Sequence, residues 1–449
     1  MRHSGRLSII DLAGGESLAG DWASFVALNT RIPFHYATCD FNGSGQLPNL
    51  RPAYFLNSHT KEDRILGQLR SGPGEVRESM RILHLADHMG YGGTIPHGMT
   101  TYLLTVLPRL RAAGHDVLAC FLREPHVSAT ELERQGVKTH FLNASRLDPR
   151  IPWRVARIVH DFRPDVLHAT QIQATAVARL LHLRHRPYAL VLHMHNLDVF
   201  PTPLRWVSRL LPQASSVLCV SKAAMHNAEI EYGLDPTRMR VFHNAFDTER
   251  FFGAAGHESP DLRQELGLDP KTPIIGRVAR FHPDKGNDRL IRAMPEIVRA
   301  VPGVVAVFAG EGPERPACEQ LAADLGVADA VRFLGHREDV ARLVQSFDVM
   351  AITSPAEPFG YVALESFAAG KPVVGYSAGG LPEVVTHDID GLLARADDHR
   401  EFATLLIRVL RDQALHERLA EGARQALLRF SLGKHVDELL WIYANARPA

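Results

Sequence analysis

Short apolar runs alternate with segments of helical spacing along most of the chain after Met80. The first half carries six runs long enough for buried strands, separated by segments of helix length. They are Ile82–Leu85, Val117–Phe121, Val137–Phe141, Val166–His168, Ala189–His193 and Ser216–Val220. Strands that alternate with helices predict a parallel sheet that is covered on both faces.

The same alternation restarts in the second half. Its strand candidates are Ile274–Val278, Val304–Ala309, Val331–Leu334, Val349–Ile352 and Pro372–Val374. After Asp398 the pattern is helical only. The chain is therefore predicted to be an α/β protein of two tandem Rossmann-like, doubly wound domains. Such sheets bind ligands outside the carboxyl ends of their strands, which places the expected site in the cleft between the domains.

Composition shifts give the expected domain boundaries. Residues 1–79 are rich in glycine, proline and asparagine and are predicted to be an extension of unknown role. An accessory element, a loosely ordered arm and sequence upstream of the true start all remain open. The first domain is expected at 80–252 and the second at 271–429, and a C-terminal helix within 430–449 is expected to pack back on the first domain.

The bulk composition is typical of an ordinary globular protein. Of 449 residues 45% are apolar and 22% charged, and 50 Lys+Arg balance 50 Asp+Glu, so charge gives no sign of a nucleic-acid partner. The four cysteines are single and far apart, which is typical of free thiols. No apolar run approaches the roughly 20 residues that span a bilayer. A cytoplasmic location is expected.

Two cations flank the loop that follows the strand Ile274–Val278. Arg280 and Lys285 stand at a carboxyl end, just before the predicted helix Asn287–Ala300. Two positive charges beside a helix N-terminus suit a diphosphate, although solvated loop charges are the alternative. The next loop, Gly310–Gly312, lets the backbone approach a ligand or simply makes a tight turn.

Two glutamates bracket the start of another helix. Glu357 lies in the loop after Val349–Ile352, and Glu365 lies inside the helix that Gly360 introduces. A carboxylate accepts hydrogen bonds from vicinal hydroxyls, so one acid could hold a sugar and the other a ribose. Helix capping for Glu357 and a surface position for Glu365 are the alternatives; burial of Glu365 without a partner is costly.

Two acidic motifs lie after the strand Pro372–Val374 of the second domain. Glu383, after Gly379-Gly380, is equally a helix-start acid or a ligand. Asp388 and Asp390 superficially match paired metal-binding acids, but they stand in a turn setting and are assigned no metal.

The order of these motifs resembles glycosyltransferase family 4. The resemblance covers roughly 80–430 and is strongest in the second half. It rests on Gly276-Arg277-Val278, Arg280 with Lys285, Gly-Glu-Gly-Pro at 310–313, Phe333-Leu334-Gly335, Glu357 to Glu365, and Gly379-Gly380 to Gly391-Leu392-Leu393. The resemblance implies a retaining transferase of the two-domain GT-B fold.

The resemblance also implies roles for individual residues. Arg280 and Lys285 grip the donor diphosphate and stabilise the leaving group, Glu357 positions the donor sugar, and Glu365 holds the ribose diol. Further donor contacts are expected from Gly93, Gly310, Gly312, Phe359, Gly360, Tyr361 and Val362. The donor is a UDP-, GDP- or ADP-sugar, and no metal or other cofactor is expected.

The first half matches the family less closely. Either Gly92-Gly93 or Gly98 occupies the place of the family's glycine loop near the donor phosphate. His195 resembles the family histidine that faces the reacting sugar, with a core histidine as the alternative. Asn244 and Asp247 match the motif between the domains.

The expected function is transfer of a hexose to a glycan, a lipid-linked acceptor or a small molecule. A nucleotide-sugar 2-epimerase of the same fold and a non-catalytic donor-binding homologue are the alternatives. The oligomeric state is open. Two groups of basic and aromatic residues could contact an anionic membrane surface, although solvated helix faces are the alternative. These are Arg146, Arg150, Trp153, Arg154 and Arg157, and Arg184, Arg186, Arg205, Trp206 and Arg209.

Overall fold

The structure is a computed structural model that describes residues 79–90, 98–183, 187–253 and 261–446. The extension up to residue 78 and Gly92-Gly93 therefore lie outside the described residues, as do Arg184 and Arg186. None of the helices in the described ranges is long and apolar enough to cross a membrane.

The first half of the described chain forms a seven-stranded parallel sheet with the strand order β3-β2-β1-β4-β5-β6-β7. Its central strands are buried along their whole length, as the apolar runs predict. The elements are β1 (Arg81–Ala86), α1 (Gly98–Ala112), β2 (Asp116–Phe121), α2 (Ala129–Arg134), β3 (Lys138–Phe141), α3 (Ile151–Phe162), β4 (Val166–Thr170), α4 (Ile172–Leu181), β5 (Ala189–Met194), α5 (Thr202–Leu210), β6 (Ser216–Cys219), α6 (Lys222–Tyr232), β7 (Met239–Val241) and α7 (Thr248–Gly253).

The second half forms a six-stranded parallel sheet with the order β10-β9-β8-β11-β12-β13. The elements are α8 (Leu262–Glu265), β8 (Ile274–Val278), α9 (Asn287–Ala300), β9 (Val305–Ala309), α10 (Arg315–Asp324), β10 (Val331–Phe333), α11 (Val340–Ser346), β11 (Val349–Ile352), α12 (Tyr361–Ala368), β12 (Val373–Tyr376), α13 (Leu381–Val384), β13 (Gly391–Ala394), α14 (His399–Arg411), α15 (Gln413–Ala426) and α16 (Leu432–Asn445). Two doubly wound α/β sheets confirm the predicted fold class.

The chain crosses between the two sheets twice at neighbouring points. It leaves the first half through 244–247 and returns at 430–431, where Phe246 pairs with Ser431 in a short parallel bridge. The returning helix α16 then packs against α1, and its Leu439 and Tyr443 join the apolar core of the first half. The hydroxyl of Tyr443 lies 2.5 Å from Nδ1 of His168, so the last helix is tied to β4 by a polar contact as well.

The segment that contains α8, just before β8, packs on the second domain, although it precedes the domain start expected at residue 271. Leu262 is fully buried, and Arg263 donates a 2.8 Å hydrogen bond to Asp348. The carboxylate of Glu265 accepts from Arg337 at 2.6 Å. Ion pairs with distant partners carry no local sequence signal, which explains why this start of the second domain is not apparent from composition.

Candidate active site

Four loops meet at the carboxyl edge of the second sheet. They follow β8, β9, β11 and β12, which are near neighbours in the sheet. Because the strands are parallel, the loops that follow them lie on the same edge. The structure thereby brings together the second-domain residues that the sequence predicts for the donor site. These are Arg280, Lys285, Gly310, Gly312, Glu357, Phe359, Gly360, Tyr361, Val362 and Glu365.

The glycines after β9 support the loop that carries Arg280. Gly310 and Gly312 both have positive φ, at 147° and 156°. A Cβ on Gly310 would lie 2.0 Å from the carbonyl oxygen of Ala279, and one on Gly312 would lie 2.2 Å from that of Phe281. A side chain at either position would therefore push the two loops apart. The structure thus gives these glycines a role in packing the two loops together, in addition to the donor contact predicted for them.

Carboxylates balance the two cations. Nζ of Lys285 lies 3.1 and 3.2 Å from the two carboxylate oxygens of Glu357, and both side chains are largely buried. Asp284 lies 3.5 Å from the guanidinium of Arg280 and 3.7 Å from Lys285. A bound diphosphate would compete with these carboxylates for the same positive charges. The Lys285–Glu357 pair also joins the predicted phosphate contact to the predicted sugar contact.

The loop after β12 holds the Glu357 loop in place. A Cβ on Gly379 would lie 2.3 Å from the carbonyl oxygen of Glu357, and one on Gly380 would lie 2.2 Å from that of Pro358. The N–H of Gly380 also donates to the Glu357 carbonyl at 2.6 Å. The Gly379-Gly380 pair thus permits two loops to touch through their backbones.

The helix α12 begins at this point. Gly360 precedes it with φ 105°, a backbone conformation that favours glycine. The N–H groups of Tyr361 and Val362 lie in the first turn, where a helix offers no earlier carbonyl to accept them. The ring of Phe359 is buried between the halves, near His243 and Phe430, so only its backbone is placed to meet a donor.

Glu365, one turn further into α12, is a partly buried acid. Burial raises the pKa of its carboxyl group to about 7. Within the described residues no cation or hydrogen-bond donor meets this carboxylate. A partly buried carboxylate that meets no donor among the described residues is costly, and a ligand that donates hydrogen bonds would offset this cost.

The N-terminus of α1 lies opposite α12. A Cβ on Gly98 would be 3.4 Å from the ring of Tyr361, so the two helix starts approach each other across the cleft. Of the two glycine sites considered, Gly98 is therefore placed at the cleft, while Gly93 lies outside the described residues. Two facing helix N-termini make a favourable environment for an anionic group.

His195 lies just past the end of β5. Its ring centroid is 3.9 Å from that of His193 and 4.8 Å from that of Tyr102. Tyr102 stands one turn after Gly98 on α1, so His195 and Tyr361 contact neighbouring positions of one helix. His193 is the fully buried core histidine of this strand, and His195 is only partly buried at the edge of the sheet.

Contacts between the domains include residues that the sequence does not single out. The hydroxyl of Ser221, the N-cap of α6, donates to the carbonyl of Pro358 at 2.7 Å. The carboxylate of Glu383 accepts from the N–H of Lys222 at 2.7 Å and lies 3.1 Å from Nε2 of His243. Glu383 thus links the domains, a role that neither sequence interpretation included.

Asp388 and Asp390 are held by arginines. Asp390 accepts a 2.6 Å bond from the N–H of Thr386 and a 3.1 Å bond from Arg429, and Asp388 pairs with Arg418 at 3.1 Å. Across the part of the chain that the structure describes, no group of three or more histidine, cysteine or acidic side chains could hold a metal ion.

Comparison with known proteins places this chain in a family. A family model described as Glycosyl transferases group 1 matches residues 258–426, and one described as Glycosyltransferase Family 4 matches 96–250. The lipopolysaccharide core biosynthesis glycosyltransferase LpsD of Rhizobium meliloti is 30% identical over 65% of this chain and 79% of its own length. The D-inositol 3-phosphate glycosyltransferase of Salinispora arenicola is 34% identical over 54% of this chain.

The matches to this and two further D-inositol 3-phosphate glycosyltransferases span only about half of those proteins, 52–57% of their length. Among solved structures, Anabaena HepE in complex with UDP has a TM-score of 0.68 and 26% identity over 81% of this chain and 100% of HepE. A complex of HepE with UDP-glucose matches equally well, with a TM-score of 0.69.

Two α/β domains that face each other across a cleft define the GT-B class of glycosyltransferase folds. In that class the nucleotide sugar binds at the carboxyl edge of the second sheet. Within that class, the chain belongs to the group 1 glycosyltransferases, glycosyltransferase family 4. The resemblance drawn from the sequence motifs is thereby confirmed.

Proposed function

We propose that this chain transfers a sugar from a nucleoside diphosphate donor to an acceptor hydroxyl, with retention of anomeric configuration. The observation that carries the proposal is the contact of Lys285 with Glu357 beside Arg280, at the start of α12. The cations proposed to bind the phosphates and the carboxylate proposed to bind the sugar thus lie at the same edge of the second sheet. Retention is proposed from the family resemblance.

The cations act on the leaving group. As the bond between the sugar C1 and the diphosphate oxygen breaks, negative charge builds on the nucleoside diphosphate. Arg280, Lys285 and the N–H groups at the start of α12 are placed to stabilise that charge. The acceptor oxygen forms the new bond to C1, and its proton passes to the departing phosphate oxygen. Donor stabilisation of this kind is worth on the order of 100-fold or more in rate.

The two glutamates bind the other ends of the donor. Glu357 accepts from the sugar hydroxyls, and Glu365 accepts from the ribose hydroxyls. The unpartnered carboxylate of Glu365 supports this assignment, because a diol supplies the donors that the described protein residues do not. His195, next to Tyr102 at the rim of the first sheet, is proposed to face the reacting sugar.

The donor is proposed to bind without a divalent ion, because Arg280 and Lys285 supply the neutralising charge. Activity should survive chelation of divalent ions with EDTA. A loss of activity that added Mg²⁺ restores would contradict this part of the proposal.

Thermal unfolding with nucleotides tests the donor site. HepE was crystallised with UDP, so UDP is the first probe, with GDP and ADP beside it. A nucleotide at about 100 times its dissociation constant adds roughly 2.7 kcal/mol of stability, enough to raise the midpoint by several degrees. One nucleotide should stabilise the wild type but not Arg280→Ala/Lys285→Ala. A folded wild type that no nucleotide stabilises would overturn the donor site.

Turnover separates the transferase from its two rivals. A transferase releases nucleotide from its sugar donor faster when an acceptor is added, and the sugar appears on the acceptor. An epimerase converts or cleaves the nucleotide sugar with no acceptor. A non-catalytic homologue binds the nucleotide and turns over none of the sugars.

For the acceptor side, we infer that α5 touches a membrane with anionic headgroups and that the acceptor is lipid-linked. Leu204, Trp206, Val207 and Leu210 are 55–83% exposed and share one side of this helix. Arg209 lies over the ring of Trp206 at 5.5 Å, which places a cation beside the apolar side chains. An exposed apolar stripe with flanking arginine favours an interface between water and acidic lipid.

Vesicle sedimentation tests this membrane contact. The protein should bind vesicles that contain phosphatidylglycerol more strongly than vesicles of phosphatidylcholine alone, and Trp206→Ser/Leu210→Ser should weaken the binding about tenfold or more. Val127→Ser, at an exposed apolar residue of the loop before α2, is the control. Equal binding by the α5 variant and the wild type would contradict the inference.

A further inference from the structure

A buried arginine lies beneath the loop that carries Arg280 and Lys285. Arg277 stands on β8 and is only 2% exposed. Its Nη2 donates to the carbonyl oxygen of Lys285 at 2.6 Å, and its Nε donates to Oδ1 of Asn287 at 3.0 Å. A third, longer bond of 3.4 Å reaches the carbonyl of Ala351. The guanidinium is thus held by neutral oxygens.

Asn287 makes the equivalent main-chain contact with Arg280. Its side chain is fully buried, and Nδ2 donates to the carbonyl oxygen of Arg280 at 2.8 Å. Arg277 and Asn287 together therefore bind the main chain of both Arg280 and Lys285. The hydroxyl of Thr353 adds a 3.2 Å bond to the Lys285 carbonyl.

The loop cannot easily shift away from these donors. Gly286 follows Lys285 with φ 57°, and a Cβ there would lie 2.6 Å from the carbonyl oxygen of Thr353. The turn after Lys285 is therefore pressed against the end of β11. Carbonyls fixed at both ends of a six-residue loop set the separation of its two cationic side chains.

Arg277 also leaves a positive charge inside the domain. Burial lowers the pKa of the guanidinium to about 10, so it remains protonated at neutral pH. The carboxylates that act on it are Glu357 and Asp284, which also pair with Lys285 and Arg280. The proposed diphosphate site lies next to this buried charge, so the charge adds to the positive potential there.

We propose that Arg277 and Asn287 are positioning residues for the donor diphosphate: they fix the main chain of Arg280 and Lys285, and Arg277 adds a third positive charge beneath the site. This role rests on the proposed function, because it presumes that the loop binds a diphosphate. Neither side chain touches the donor. Both act through the loop.

The first domain offers a matched control. Arg179 on α4 is also fully buried, and it donates to the carbonyls of Leu211, Pro212 and Tyr232 at 2.8–3.1 Å. Burial lowers its pKa to about 10, as it does for Arg277. Arg179 stabilises the first domain and has no contact with the donor loop. Replacing it reproduces the loss of a buried arginine without disturbing the site.

Calorimetric titration of the folded variants tests the role. The ligands are UDP and UMP, or the matched pair of whichever base the wild type binds. Arg277→Gln and Asn287→Ala should each raise the Kd for the diphosphate about tenfold or more, with less than about threefold change for the monophosphate. Arg179→Gln should leave both dissociation constants within about twofold of wild type, whatever its thermal midpoint. Thr353→Val, a milder change, should weaken diphosphate binding by about two- to fivefold.

Three outcomes separate the hypotheses. If Arg277→Gln and Asn287→Ala bind the diphosphate as the wild type does, the positioning role is wrong and the proposed function stands. If diphosphate and monophosphate binding weaken equally, these residues serve only stability, and the role is again wrong. Should Arg277→Gln fail to fold, Thr353→Val and Asn287→Ala decide the question. A wild type that binds none of UDP, GDP and ADP overturns the proposed function itself.

Discussion

The two α/β domains bury polar side chains in different places. In the first, His84, His168 and His193 come from the neighbouring strands β1, β4 and β5, and each is at most 1% exposed. Their ring centroids are 4.7 and 5.4 Å apart, beneath α1 and α16. In the second domain, Arg277, Lys285 and Glu357 form a charged group at and just below the carboxyl edge of the sheet.

Under the proposed function, this difference separates histidines that fill a core from charged groups that lie beside the donor site. The histidines of the first domain are neutral aromatic rings that fill the core, and His435 of α16 joins them against Phe242 at 4.2 Å. In the second domain, Lys285 pairs with Glu357 at 3.1 Å, and Arg277 donates to the backbone carbonyl of Lys285 at 2.6 Å. Neutral rings pack without a ligand, whereas fixed cations at a sheet edge are useful when an anion arrives. Four predictions probe this contrast.

The largest expected effect is acid destabilisation through the first domain. Burial lowers the pKa of His84 to about 3 and of His435 to about 4, and lowers those of His168 and His193 well below their usual value. As the pH falls, these imidazoles bind protons in the unfolded chain before they do so in the folded protein. Their contribution to the free energy of unfolding is therefore fully present above pH 6.5 and is lost as the pH drops toward 4. Four such histidines cost about 5 kcal/mol at pH 5.5, a large share of a typical folding free energy.

Urea unfolding at pH 7.5 and 5.5 measures this loss. The tryptophans within the described ranges, Trp153, Trp206 and Trp441, lie on the first domain or on the helix packed against it, so their fluorescence reports the relevant half. His84→Leu should reduce the pH-dependent loss by about 1 kcal/mol, while the exposed His226→Leu should not change it. An unchanged free energy of unfolding down to pH 5.5 would show that the buried histidines of the first domain do not oppose protonation.

The next effect concerns Glu357 in the second domain. Glu357→Gln should lower sugar transfer by about 100-fold or more, near 3 kcal/mol of transition-state energy. Nucleotide affinity should hold or rise, because Lys285 loses the carboxylate that pairs with it at 3.1 Å. Initial rates and titration with the nucleotide measure the two effects, with the exposed Glu338→Gln as control. Weaker nucleotide binding with normal transfer would exclude the assigned role.

A smaller effect is expected where the domains meet. A Cβ on Gly380 would lie 2.2 Å from the carbonyl oxygen of Pro358 and 2.8 Å from Cβ of Ser221. Gly380→Ala should therefore cost about 1–3 kcal/mol of stability and slow transfer, because the Glu357 loop must move. Gly253→Ala, where a Cβ meets nothing within 4 Å, is the control for urea unfolding. Equal stability of the two variants would mean that the loops separate freely.

The alternation of apolar runs and helical segments predicts most of the fold, with two omissions. Both missed strands, β7 and β13, are the last strand at one edge of their sheet. They have three and four residues, and β13 begins with Gly391, so neither forms a recognisable apolar run. Edge strands are defined by their neighbours more than by their own residues.

The residues of the candidate site also fall into those that the sequence reveals and those that it does not. Charged and glycine residues in loops after strands are visible in the sequence, because parallel strands bring such loops to one edge. The roles of Arg277, Asn287 and Ser221 are not, because these residues act through backbone oxygens of residues that the fold brings near. Ser221 and Pro358 are 137 positions apart in the chain. No periodicity marks a contact of that kind.

The smallest effect follows from the buried carboxyl of Glu365, whose pKa is raised to about 7. The folded protein holds this proton more tightly than the unfolded chain, so stability is highest below the ordinary glutamate pKa and falls as the pH rises toward 7. Glu365→Gln should thus stabilise the ligand-free protein at pH 8 by about 1 kcal/mol, since partial exposure moderates the penalty, and should weaken nucleotide binding. Melting curves at pH 5 and 8, with and without nucleotide, measure both. A variant less stable than wild type at pH 8 would show that a protein partner, not a ribose, satisfies this carboxylate.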